Sequence, residues 1–281
     1  MPLPTLHADD DKESRGRVLV VGGSTLVPGA VLLAGVAALR AGAGKLQLAT
    51  VQSAALGIAL DVPEALVLPL PQDRAGEIAG ARAAGPLRRY AADADALLLG
   101  PGAATGPRVS ALLRAVLPLV GDRTTVILDG AAAVAAGPVE ARVAALEGRV
   151  ILTPHAGEMA ALLQIDKRDV LSDAAAVARL AAERFDAVVA LKGAETWIAS
   201  PEGELLRYSG GSVGLGTSGS GDTLAGVITG LAARGARPFA AAAWGVWAHG
   251  SAGRRLAKRM ATVGFLAREL LAEIPALVGR R

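Results

Sequence analysis

Residues 214–226 read GLGTSGSGDTLAG, with five glycines and one carboxylate, Asp222, directly before an apolar run of helical period. Peptide N–H groups of TSGSGD would converge at a helix N-terminus, where unpaired donors and the helix dipole favour an anion. Glycine there lets the backbone approach a phosphate and take positive φ. A carboxylate beside bound phosphate is electrostatically awkward unless it works there. Its usual work is to take a proton from a hydroxyl aimed at the terminal phosphate, with a cation offsetting the charge. The same residues also fit a plainer reading, with Asp222 as an N-cap over a flexible glycine turn. Two more segments bring reactive side chains: TPHAGE supplies His155 and Glu158, and LKGAET supplies Lys192 and Glu195. His155 equally fits a turn histidine satisfied by backbone, Glu158 an early-helix acid favoured by the dipole, and Lys192 a solvated strand-end lysine.

These residues need a frame that gathers them. Short apolar runs at 17–22, 45–50, 65–70, 95–100, 125–129, 149–153 and 187–193 alternate with alanine-rich segments of helical period. That is the βαβ rhythm of an α/β fold with a mostly parallel central sheet and helices on both faces, and strands buried on both sides read as continuous apolar runs. Ligands of open α/β sheets bind beyond the carboxyl ends of the strands. The segments GGSTLVPGA, GPGAATGP, Asp129, TPHAGE and LKGAET all follow predicted strands directly. A hairpin over 196–208 predicts a late antiparallel edge, and helices are expected over 222–234, 238–257 and 261–272. No linker and no internal repeat is visible, so one domain over 1–281 is expected, its first eleven residues a mobile tail.

Composition narrows the function. The chain has 281 residues and no cysteine, which removes disulfides, thiolate metal sites and cysteine nucleophiles and is compatible with a reducing compartment, the cytoplasm by default. No secretory signal or membrane span is legible, because the longest uncharged apolar stretch stops at Arg40. The formal net charge is only +3 and aromatics make up 3%, so stacked recognition of nucleic acid is disfavoured. His7, in the tail, and His249, in an alanine-rich helix, are expected to be structural. Asp9, Asp10 and Asp11 read as a solvated acid run.

GLGTSGSGDTLAGVITGLAARG, with ILTPHAGEMAALL and VVALKGAETWIASPEG, resembles the ribokinase-like superfamily, and within it the ADP- or ATP-dependent NAD(P)H-hydrate dehydratases. The N-terminal DKESRGRVLVVGGSTLVPGA, the ALRAGAG block and Pro63-Glu64 extend the resemblance over about residues 12–257, without the epimerase domain often fused to this one. The resemblance implies a lyase that restores NADH and NADPH from their hydrated S epimers, with ADP favoured over ATP as co-substrate and Mg2+ as cofactor. It makes Asp222 the catalytic base, which also meets the hydrated nicotinamide. Ala30, Ala104 and His155 fall on the substrate side. Lys192, Gly193, Ala194, Glu195 and Thr196, with Gly219, Ser220 and Gly221, fall on the nucleotide. Glu158 is placed near the metal and phosphates. No nucleic-acid or membrane partner is implied, and a homo-oligomer, tetramer or larger, is.

Of the departures from the family pattern, the first two bear on the substrate. Ala104 stands where a GPGLG turn has its last glycine, and its methyl group could crowd the acceptor. Asp129-Gly130-Ala131 replaces DAD and so lacks the second acid, while Leu215 and Gly216 stand where methionine and alanine are usual. A kinase of the same superfamily acting on a vitamin precursor or sugar would keep the GSGD acid. A nucleotide-sensing homologue without turnover is disfavoured by the intact Asp222, Lys192 and Glu158. For Ala30, simple helix packing is the alternative role.

Overall fold

The computed structural model describes residues 3–5, 7 and 9–279. In chain order the elements are β1 (Arg17–Val21), α1 (Gly29–Arg40), β2 (Lys45–Val51), α2 (Gln52–Asp61), β3 (Ala65–Leu70), α3 (Ala84–Ala92) and β4 (Ala96–Leu99). There follow α4 (Pro107–Val116), β5 (Thr125–Leu128), α5 (Ala131–Ala135), α6 (Glu140–Ala144), β6 (Val150–Leu152), α7 (Ala156–Leu163), α8 (Lys167–Ser172) and α9 (Ala174–Phe185). The chain ends with β7 (Val188–Leu191), β8 (Thr196–Ala199), β9 (Leu205–Tyr208), α10 (Ser220–Ala233), α11 (Pro238–Arg259) and α12 (Ala267–Val278).

The strands form one sheet in the order β3-β2-β1-β4-β5-β6-β7-β8-β9. Pairing is parallel from β3 to β7 and antiparallel at β7–β8 and β8–β9, so the expected parallel core and late hairpin are both present. One face carries a core of Leu19, Leu97, Leu128 and Phe185 under α3–α9, and the other a core of Val20, Leu98, Ile127 and Ile228 under α1, α2 and α10–α12. Strands β4 and β5 are buried at every position, the burial that their uninterrupted apolar sequences demand. At the edge, β3 carries Pro69, which removes a donor where none is needed.

The last helix departs from expectation. It begins at Ala267, not near 261, because Gly264 has φ of 102° and cannot continue a right-handed helix. Phe265 is buried there as an anchor, and Glu269 reaches back to accept from the Leu266 N–H at 2.7 Å, fixing the new start. The tail expected over the first eleven residues falls partly on residues 1, 2, 6 and 8, outside the described residues. Of the rest, Leu3 packs against the α1 face, and Asp11 accepts from the N–H groups of Glu13 (2.8 Å) and Ser14 (2.9 Å). The acid run therefore ends in a turn cap at Asp11, which stays exposed, as does Asp9.

Two glycines determine where α10 lies. A Cβ at Gly226 would strike the Ala34 carbonyl of α1, and one at Gly230 the Ala38 carbonyl. The backbones of α1 and α10 thus meet along a seam of glycine and alanine, and that seam brings the first turn of α10 to the carboxyl edge of the sheet. Gly57 on α2 is the contrast, because a Cβ there would meet open space. Gly226→Val is expected to cost about 3 kcal/mol or abolish folding, since backbone must move to admit it. Gly57→Ala should be neutral or stabilising by roughly 0.5–1 kcal/mol. Equal effects of the two in urea unfolding would contradict the seam.

Candidate active site

The sheet order places β1 beside β4 and reverses the chain's progression there, the kind of switch point at whose carboxyl edge open α/β sheets bind ligands. The two loops that follow touch: the Gly23 N–H donates to the Pro101 carbonyl at 2.6 Å. Further along the same edge, Asp129 follows β5, Thr153 follows β6 and Lys192 follows β7. Asp129 is 4% exposed. Its Oδ1 accepts from Thr153 Oγ1 at 2.6 Å and from Lys192 Nζ at 2.8 Å. Lys192, whose side chain is 19% exposed, is therefore no solvated strand-end lysine. Burial alone would depress its pKa, but Asp129, Glu158 and Asp222 together outweigh it and hold the ammonium above the ordinary lysine value.

Asp222 lies in the first turn of α10, whose N-cap is Gly219, so it is not itself the cap. Burial raises the Asp222 carboxyl first and the Asp129 charge second; Lys192 opposes both, and the result is a pKa of about 6. Positive φ in this turn belongs to Gly219, at 85°, whereas Gly221 is already helical. The absence of a side chain at Gly221 serves close approach instead. A Cβ there would lie 3.4 Å from Lys192 Nζ, so an ammonium and a helix N-terminus face the same bare backbone.

Beside this turn lies a cavity of about 690 Å³. Of the expected site residues, His155, Lys192, Gly193, Ala194, Thr196, Ser220 and Gly221 line it. Glu195 instead faces a smaller cleft of about 370 Å³ on the other side of the same segment, and pairs with Arg207 at 3.7 Å. Sequence reasoning missed the apolar wall of the large cavity: Tyr208, Val213, Leu215, Leu224 and Val246. It also missed His249, set aside as structural, which lines the cavity and lies 3.0 Å from Ser220 Oγ. These come from three separate segments that only the fold brings together.

The acceptor-side residues sit differently. His155 caps α7: its Nδ1 accepts from the N–H groups of Gly157 (3.0 Å) and Glu158 (3.2 Å), and Glu158 returns the bond to the His155 N–H at 2.8 Å. His155 Nε2 lies 3.3 Å from Glu158 Oε1, and the imidazole remains 59% exposed. The backbone-satisfied turn histidine and the early-helix acid thus describe one capping box. Ala30 is buried, its methyl closing on Gly102 of the neighbouring turn. Ala104 is exposed, and its N–H donates to Glu77 Oε2 at 3.3 Å. Positive φ falls on Gly102 and Gly106, not on Ala104, so alanine stands there without strain. Ala131, where the family has its second acid, is the buried first residue of α5.

A family model described as NAD(P)H-hydrate dehydratase matches residues 18–276. The chain is 50% identical to the ADP-dependent (S)-NAD(P)H-hydrate dehydratase of Xanthomonas campestris pv. campestris, over 99% of this chain and 93% of that one. It spans about half the length, 51%, of a bifunctional NAD(P)H-hydrate repair enzyme that it also matches. Among solved structures, it is similar to the ADP/ATP-dependent NAD(P)H-hydrate dehydratase of Bacillus subtilis co-crystallised with ATP/Mg2+, with a TM-score of 0.79 and 29% identity over 98% of this chain and 93% of that one. A ribokinase-like superfamily protein of Enterococcus faecalis shares the fold, with a TM-score of 0.82 and 24% identity over 99% of this chain and 91% of that one.

The raised Asp222 pKa has a consequence for stability. Between the ordinary aspartate value of 3.8 and about 6 the folded protein holds this proton more tightly than the unfolded chain does, so stability falls as pH rises through that window. Above it the cost of the buried charge is present in full. Asp222→Asn should therefore raise Tm by several degrees at pH 8 and change it little at pH 4. Thermal unfolding at both pH values checks this, and an equal shift at the two would contradict it.

Proposed function

The chain belongs to the NAD(P)H-hydrate dehydratase family, and from that premise we propose that it returns the S epimers of hydrated NADH and NADPH to NADH and NADPH, with ADP as the phosphoryl donor. Hydration of the reduced ring leaves a hydroxyl on C6, and hydroxide is a poor leaving group. Transfer of the terminal phosphoryl of ADP to that oxygen forms a C6–O–P linkage, breaks the P–O bond to AMP and delivers the hydroxyl proton to Asp222. The lone pair of the ring nitrogen then expels phosphate from C6. The C5 proton leaves to solvent, and the C5=C6 double bond is restored. One domain carries both half-reactions.

The observation that carries this reading is Asp222 itself, a carboxyl with a pKa of about 6 in the first turn of α10, beside Lys192 and the bare backbone of Gly221. A base of that pKa is ionised at neutral pH yet basic enough to draw a hydroxyl proton as the oxygen attacks. Gly219, Gly221 and the Ser220 hydroxyl would hold the transferring phosphoryl, and Lys192, Gly193, Ala194 and Thr196 the rest of the nucleotide, with Glu195 turned to the smaller cleft. Ala30, Ala104 and His155 would border the hydrated ring, with Ala30 acting through its packing on Gly102.

Among the described residues no three His, Cys, Asp or Glu side chains cluster as a metal cage. That donor set fits Mg2+ brought in on the nucleotide, because this ion keeps several waters and needs few protein carboxylates. Glu158 would be the carboxylate to meet it, and the ion would neutralise charge on the phosphate oxygens. No described helix is long and apolar enough to cross a membrane. A homo-oligomer, tetramer or larger, in the cytoplasm completes the proposal. Leu56, Leu60 and Leu66, exposed on α2 and the β3 edge, favour self-association, and light scattering tests it.

Purified protein given hydrated NADH, Mg2+ and ADP should restore the absorbance of the reduced nicotinamide, and chelation of Mg2+ should stop it. Asp222→Asn should lower kcat on the order of 10²- to 10⁴-fold and leave ADP affinity within a few-fold. In the parent, kcat/KM should fall as pH drops through about 6, as the base takes up its proton. A near-parental rate in the asparagine variant would remove Asp222 from the chemistry.

A further inference from the structure

His249 is a buried polar residue in the middle of α11, on a face otherwise built of Ala, Gly and Val. Its Nε2 lies 3.0 Å from Ser220 Oγ, and both residues line the large cavity beside Gly221. The Ser220 N–H is already engaged by the Thr217 carbonyl at 3.2 Å, so what Ser220 can add to an anion site is its hydroxyl. A neutral imidazole carries one proton and can either give it to that hydroxyl or take the hydroxyl's own. Burial pushes His249 down to about 4, against a hydrogen bond to the Ser220 backbone that pulls it up. At that value the imidazole is neutral, and the 3.0 Å contact with Ser220 Oγ is open to either direction of donation.

We propose that His249 is a positioning residue for the nucleotide: it donates from Nε2 to Ser220 Oγ and so turns the serine proton outward, making the hydroxyl a side-chain donor to phosphate beside the backbone N–H groups of α10. The assignment rests on the cavity being the nucleotide site. A residue that merely filled the space between α10 and α11 would have no reason to be polar, and its replacement by an apolar side chain of similar size would leave ligand affinity alone. A positioning residue makes the opposite demand, because its loss should matter only while the serine hydroxyl is present.

The test measures ADP affinity by titration calorimetry for the parent, His249→Leu, Ser220→Ala, the double variant and His249→Gln. Each of the first two single changes should weaken ADP roughly tenfold, the factor that corresponds to about 1.4 kcal/mol. The double variant should be no weaker than either, because both remove one contact. His249→Gln keeps a donor and should stay within about threefold of the parent. In turnover KM for ADP should rise in His249→Leu, while the fall of kcat/KM through about pH 6 stays where it is in the parent, since Asp222 is untouched. Parental affinity in His249→Leu, or a double variant weakened by the product of the two losses, overturns the proposal. Should His249→Leu fail to fold, Ser220→Ala decides, and parental affinity there overturns it equally. A parent that binds no ADP overturns the nucleotide reading itself, a result distinct from both.

Discussion

An ammonium group held away from water must be matched by carboxylates, and that requirement organises the carboxyl edge of this sheet. Lys192 is matched by Asp129 at 2.8 Å and, at longer range, by Glu158 and Asp222. Removing one partner from such a set leaves a charge uncompensated, which costs far more than the set contributes when complete. The arrangement also makes the carboxylates unequal. Asp129 is committed to Lys192 and Thr153, Glu158 is tied to the His155 cap, and Asp222 is left with its charge only partly answered. The imbalance produces the base.

The position of that base depends on packing far from it. The glycine seam at Gly226 and Gly230 lets α10 approach α1 until backbones touch. A cap at Gly219 with φ of 85° then ends the helix against Leu33. Parallel strands supply the other side, because each ends on the same edge and delivers its following residue to the same crevice. Site and core are therefore one construction: the small residues that close the core also bare the backbone that would meet phosphate.

Much of this was legible in the sequence, for physical reasons. Short continuous apolar runs, bounded by glycine or polar residues and alternating with helical periods, read as strands covered on both faces, so the parallel core and the edge on which Asp129, His155 and Lys192 gather followed from pattern. GSGD announced a bare helix start with an acid in its first turn. Less legible were features that depend on where side chains point. Nothing local to LKGAET says that Lys192 turns inward to Asp129, and nothing in an alanine-rich helix says that His249 meets Ser220. The late start of α12 was not legible because nothing in the local pattern shows that Gly264 takes a left-handed φ.

The central claim is that burial and Asp129 hold the Asp222 carboxyl high while Lys192 restrains it. A carboxyl-detected NMR titration, with Asp222 assigned by comparison with Asp222→Asn, tests this most directly. The account predicts a titration near pH 6 in the native protein, moving higher still in Lys192→Met, where the restraining charge is gone. An Asp222 that titrates in the ordinary carboxylate range near 4, or one that does not respond to loss of the ammonium, would contradict it.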